Sequence, residues 1–113
     1  MHIANPTQPP KDVFLFTLRP TRPAMLTEGA TDAEREVAAR HWAYSKELLA
    51  QKIIVFAGRT LTVGDDSFAT VVIRSPTEAD ARGIMEADPA VAAGVFQAKL
   101  YPYQPMLMGE WPL

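Results

Sequence analysis

Two side chains have the types and the setting for proton-transfer chemistry: His41 and Asp88. His41 sits in the run Arg40-His41-Trp42-Ala43-Tyr44, on the stripe Val37, His41, Tyr44, Leu48. That i, i+4, i+7, i+11 spacing turns the imidazole toward the core side of a helix. Imidazole is the side chain whose unperturbed pKa, about 6.5, lies nearest neutrality. On an apolar face it needs a structural partner or a chemical task. Asp88 falls at the C-terminal end of a second helix, beside Glu86, where the helix dipole disfavours negative charge. An imidazolium neighbour would relieve that. The spacing also admits a second reading: His41 as a core histidine bonded to a carbonyl, and Asp88-Pro89 as cap and first residue of a short turn to Ala93.

Other chemistries lack their residues. The chain has no cysteine, which removes disulfides, thiol nucleophiles and thiolate metal sites. One internal histidine with scattered carboxylates is poor material for zinc, and His2 reads as a solvated terminal residue. The sequence contains neither Gly-x-Ser-x-Gly nor a glycine-rich phosphate loop. Asp65-Asp66 lacks the spaced oxygen ligands of a calcium loop and reads as a turn former. No metal and no cofactor are expected.

The chain that must position these residues has 113 positions, 48% apolar and 21% charged, with a net charge of -2. This is ordinary composition for one globular domain. No basic cluster marks a nucleic-acid or anionic-membrane surface. No apolar run approaches the roughly 18–20 residues of a membrane span, and the N-terminus lacks the pattern of a signal peptide. A cytoplasmic protein is the expectation.

Residues 1–12, rich in proline and polar side chains, read as a flexible lead-in. Val13–Leu18 reads as a strand, and Arg19–Gly29 as a long loop whose Arg19 and Arg22 could face an acidic ligand or solvent. Thr31-Asp-Ala-Glu34 is a capping box opening a helix to about Gln51, with Glu36 and Arg40 spaced for an ion pair on its outer side. Ile53–Ala57 reads as a strand, and Gly58 after it marks a bulge or a close approach to the backbone. A turn at Gly64–Ser67 leads into a strand, Phe68–Arg74. Ser75-Pro76-Thr77-Glu78 signals a helix with Ser75 at the cap, ending near Ala87. Pro89–Ala93 adds a turn stopped by Gly94, and Phe96–Tyr101 alternates as a last strand.

The resulting βαββαβ order predicts an α+β, ferredoxin-like fold: an antiparallel four-stranded sheet with two helices on one face. The strands Val13–Phe16, Ile53–Phe56 and Val71–Ile73 read as apolar on both faces. The second face must therefore be covered, and a homodimer through it is the expected solution. The apolar tail, 106–113, is expected to pack on the domain or on a partner subunit.

Arg40–Tyr44, Phe56-Ala57-Gly58-Arg59 and Ala87–Phe96 together resemble the YCII-related (YciI-like) family, in matching order from about Val13 to Pro105. The resemblance implies a ferredoxin-like fold of the dimeric α/β-barrel type. It also implies a His and an Asp proposed as a catalytic pair, falling by motif on His41 and Asp88. One branch of that family includes a dehydrochlorinase acting on a chlorinated hydroxyquinol. The expectation is thus a small-molecule enzyme, dehydrochlorinase-, isomerase- or hydrolase-like. Gly58 would let substrate approach the strand, and Arg59 or Tyr44 would hold it. The alternative is a dimeric small-ligand-binding or regulatory module without catalysis.

Overall fold

The computed structural model describes residues 12–110. The expected lead-in, apart from Asp12, and the last three residues of the tail lie outside that range. The described elements are β1 (Val13–Pro20), α1 (Ala24–Thr27), α2 (Asp32–Ala50), β2 (Ile54–Arg59), β3 (Ala69–Arg74), α3 (Glu78–Glu86), α4 (Pro89–Ala92) and β4 (Phe96–Pro102). The strands form one sheet in the order β2-β3-β1-β4, antiparallel at every pairing. This is the ferredoxin-like architecture the element order predicts.

Alternation along the strands divides the sheet. Phe14, Phe16 and Leu18 of β1, with Val71 and Ile73 of β3 and Ile54 of β2, turn to the helices and are buried there with Leu48, Ala81 and Met85. These apolar side chains leave water together, which supplies the main drive for docking both helices. The other face carries Leu15, Thr17 and Arg19 in register with Val72, Thr70, Tyr101, Lys99 and Gln97. It is apolar at one end and polar at the other, so the expectation of two apolar faces holds for half of the sheet.

α2 starts at the capping box as read: Thr31 accepts from the Glu34 amide and Glu34 accepts from the Thr31 amide. Arg22 completes that corner, bonding the Glu34 carboxylate at 2.6 and 3.0 Å and the Gly29 carbonyl at 3.0 Å. It therefore faces a carboxylate of its own chain. Arg19 belongs to β1, and its guanidinium lies 4.8 Å from the Phe68 ring centre. The Glu36–Arg40 pair does not form; among the described residues Arg35 of that helix bonds Asp32 instead.

Three local expectations need correction. α3 is capped by Thr77, whose hydroxyl accepts from the Asp80 amide, and not by Ser75. The Ser75 amide donates to Asp12 O at 2.8 Å, which holds Ser75 extended beside β1 and delays the helix by two residues. The irregularity in β2 lies between Ile54 and Phe56, not at Gly58. Ile54 opposes Ile73 in the core, and the extra residue, Val55, swings Phe56 to the other face opposite Val72. Finally, the 19–29 stretch is not all loop. β1 continues to Pro20 because Arg19 and Pro20 pair with β4, and Ala24–Thr27 adds a helical turn.

After β4 the chain runs without regular structure to Glu110. Met106, Leu107, Met108 and Gly109 lie against the apolar end of the open face, enclosing a cavity of about 440 Å³ with Val13, Val55 and Val72. Met106 and Leu107 remain 70% and 88% exposed, so the tail only partly covers that surface.

Candidate active site

α4 is the device that fixes Asp88. Pro89 occupies the first turn, where its missing N–H costs nothing, and Asp88 caps it by accepting from the Ala90 amide at 2.8 Å through Oδ1. The turn closes at Gly94, whose φ of +75° suits a residue without Cβ. Thr21 ties this corner to the end of β1, donating its amide to Val95 O and its hydroxyl to Gly94 O. Asp88 is thereby held at 2% exposure, in contact with His41 of α2.

The second carboxylate oxygen, Oδ2, lies 2.7 Å from His41 Nδ1. An ionised carboxylate only accepts, so Nδ1 carries the proton and donates it, and the neutral ring keeps its lone pair on Nε2. No hydrogen bond occupies Nε2 among the described residues. The His41 side chain is 20% exposed, so the pair is buried at its carboxylate and open at its imidazole. Phe96 braces the ring edge-on, with centroids 5.3 Å apart at 84°. Asp88 thus serves as helix cap and imidazole partner at once, one oxygen for each.

Tyr44, one turn further along α2, donates its hydroxyl to Ile84 O at 2.7 Å. Burial, and then the negative charge of Asp88, raise the pKa of this phenol, so it remains a donor. Its proton is committed to joining α2 to α3.

The structure brings His41, Asp88 and Tyr44 together between α2, α3 and α4. It does not bring Gly58 and Arg59 to them. Both lie on β2, with β3 and β1 intervening before β4, and Gly58 pairs with Thr70 on the face turned from the helices. They line a separate cavity with Phe56, Thr60, Phe68 and Thr70. Phe96 is the neighbour that sequence reasoning missed. It opens β4 directly after the Gly94 stop, which was its one available signal. Among the described residues no three His, Cys, Asp or Glu side chains cluster as a metal centre would require. No helix among them is long and apolar enough to cross a membrane.

An antiparallel sheet in this strand order, with a histidine and a buried carboxylate meeting over one edge, defines a ferredoxin-like α+β protein. The YCII-related domain family matches residues 13–103, and the chain belongs to that family. Among solved structures it is similar to 5-chloro-2-hydroxyhydroquinone dehydrochlorinase from Burkholderia phenoliruptrix AC1100, in complex with 2,5-dihydroxybenzoquinone. The TM-score is 0.58 at 23% identity, covering 80% of this chain and 92% of that one. That likeness is one of fold. No curated protein matches the chain.

Proposed function

We propose that this protein is a small-molecule enzyme in which His41 Nε2 moves a proton and Asp88 orients the ring and stabilises the imidazolium. The observation that carries the reading is the 2.7 Å contact between His41 Nδ1 and a carboxylate only 2% exposed, with Nε2 left unbonded. A carboxylate buried this deeply is expensive unless partnered, and its two oxygens are both in use. The arrangement presents one basic nitrogen at a fixed angle, which is what general base catalysis requires.

The reaction class follows from what the pair offers, one positioned base. Elimination fits. Nε2 takes a proton from the substrate as chloride leaves with its bonding electrons, so that HCl is lost in total and the imidazolium then releases its proton to water. Isomerisation through a proton shift, or hydrolysis of a labile ester, would use the same nitrogen. The dehydrochlorinase of similar fold supports testing chlorinated hydroquinones first.

The homodimer belongs to the same proposal. The apolar end of the open sheet face, with Val55, Phe56, Met106 and Leu107 all exposed in the single chain, pairs with a second copy. The binding reading without catalysis would keep the pocket and lose the turnover.

The decisive assay follows chloride release and product absorbance with chlorinated hydroquinones, alongside activated esters and lactones, for the native chain and His41→Gln. We expect turnover to fall by about 10²–10⁴-fold in the variant, the usual worth of a positioned base, with circular dichroism unchanged. Equal rates in a folded variant would sink the proposal. A ligand that raises Tm without being consumed would move the protein to the binding class.

A further inference from the structure

Between α3 and α4 the chain leaves one helix and starts another, and that joint decides where Asp88 stands. Pro89 sets the exit. In a continued α-helix the Met85 carbonyl would meet the amide of residue 89, and proline has no N–H. The Asp88 amide goes to Met85 O instead, at 3.3 Å, and Asp88 leaves the helical region with ψ of 125°. The shift takes from the Ile84 carbonyl the donor that an unbroken helix would have given it. The Tyr44 hydroxyl supplies a replacement at 2.7 Å, from 40 positions away in the chain.

Tyr44 and His41 stand at i, i+3 spacing on α2 and so share one of its faces. His41 bonds the Asp88 carboxylate, and Tyr44 bonds the carbonyl one turn before it. α2 thus grips the joint at two points, one on each side of the helix break. It runs close along α4 and not along α3, so the long phenol bridges the wider gap. Burial and the Asp88 charge keep that phenol protonated, so the donor persists where a neutral imidazole works as a base.

We infer that the Tyr44 hydroxyl is a positioning group for the His41–Asp88 pair. By holding the Ile84 carbonyl it keeps the Asp88 amide on Met85 and the Asp88 carboxylate on His41. The inference rests on the reading of that pair as the proton-transfer centre, and it takes Tyr44 out of the role of substrate contact. Without the hydroxyl, Ile84 O becomes a part-buried acceptor whose bond is unmade, which is costly. The Asp88 N–H is the nearest donor in the chain that can return to it. Turning the Ala87–Asp88 peptide that way carries the carboxylate off Nδ1.

Tyr44→Phe keeps the ring and removes only the hydroxyl. Thr31→Ala, which strips the cap from the start of α2, is the control for a general loss of helix stability. In ¹H–¹⁵N spectra of the imidazole, the native chain and Thr31→Ala should show the same His41 Nδ1–H signal. In Tyr44→Phe that signal should move upfield and exchange faster with water, and the Asp88 amide should shift. This readout needs no substrate, so its failure is distinct from that of the proton-transfer reading, which an unchanged rate in His41→Gln would reveal. On a substrate that is turned over, Tyr44→Phe should lower kcat by about ten- to a hundredfold, the scale of loss from a misplacement of about 1 Å, with KM unchanged. A native Nδ1–H signal in Tyr44→Phe, an equal change in Thr31→Ala, a raised KM with native kcat, or a variant that no longer folds would each overturn the inference.

Discussion

At the scale of single residues, the economy of Asp88 is the central fact. Its Oδ1 caps α4 and its Oδ2 receives the His41 proton, so one buried carboxylate is satisfied by one backbone donor and one ring. The two jobs can be separated by Asp88→Asn. The amide oxygen still accepts from Ala90 N–H, and the new NH₂ faces Nδ1 as a donor. His41 must then offer Nδ1 as acceptor and carry its proton on Nε2, which removes the base without removing the ring. We expect folding to be retained and activity on any substrate found for the native chain to fall by about 10²-fold or more. The ¹⁵N shifts of the ring should show the proton moved from Nδ1 to Nε2. A ring that keeps its Nδ1 proton in the variant would mean that Asp88 does not set the tautomer.

At the scale of elements, the start of α2 is held by a network that titrates. Hydrogen bonding to Arg22 first, and to the Thr31 amide second, lowers the Glu34 pKa to about 2. A carboxyl depressed in the folded state favours folding above its unfolded pKa, about 4.3, and that contribution disappears as pH falls toward 2. Urea unfolding at pH 7 should therefore find Glu34→Gln less stable than the native chain, and at pH 2 the two should converge. Because the group lies at the surface, salt should narrow the pH 7 difference as well. A difference independent of pH would assign the loss to packing instead. The same scale explains why α3 starts late: a backbone bond from Ser75 to Asp12, continuing the β1–β3 pairing, overrides a strong local cap signal.

At the scale of the whole molecule, the sheet has one face buried by helices and one face of mixed character. Leu15, Val55, Phe56 and Val72 form the apolar end, with Tyr101 beside them and the tail only partly over them. This exposed apolar area is the basis for the proposed contact with a second copy. Analytical ultracentrifugation should give twice the monomer mass for the native chain. Leu107→Glu, at a position 88% exposed and thus free of any role in the single-chain core, should shift the equilibrium strongly to monomer. A native chain that sediments as a monomer at assay concentrations removes the dimer from the proposal. The polar end, with Arg19, Lys99 and the threonines, would stay accessible beside such a contact.

Much of this was legible in the sequence because it rests on local chemistry. The capping box at Thr31–Glu34, the Pro89 turn, the Gly94 stop and the alternation in β1 each follow from interactions within a few residues, and the element order then leaves few topologies. The Val37–Leu48 stripe likewise put His41 on the inner side of α2. What the sequence could not supply was distance across the fold. That His41 meets Asp88, 47 positions away, depends on how α2 crosses α4, and that depends on the packing of both against the sheet. Gly58 shows the converse. Its local signal was a bulge or a close approach, yet the register shift lies at Val55, because Ile54 fills the core opposite Ile73 and Phe56 must turn away. Side-chain faces downstream of a bulge reverse, so the side on which Gly58 and Phe56 lie was decided by tertiary packing. Residue types fixed which groups were available for chemistry, and only the assembled layers decided which of them share a site.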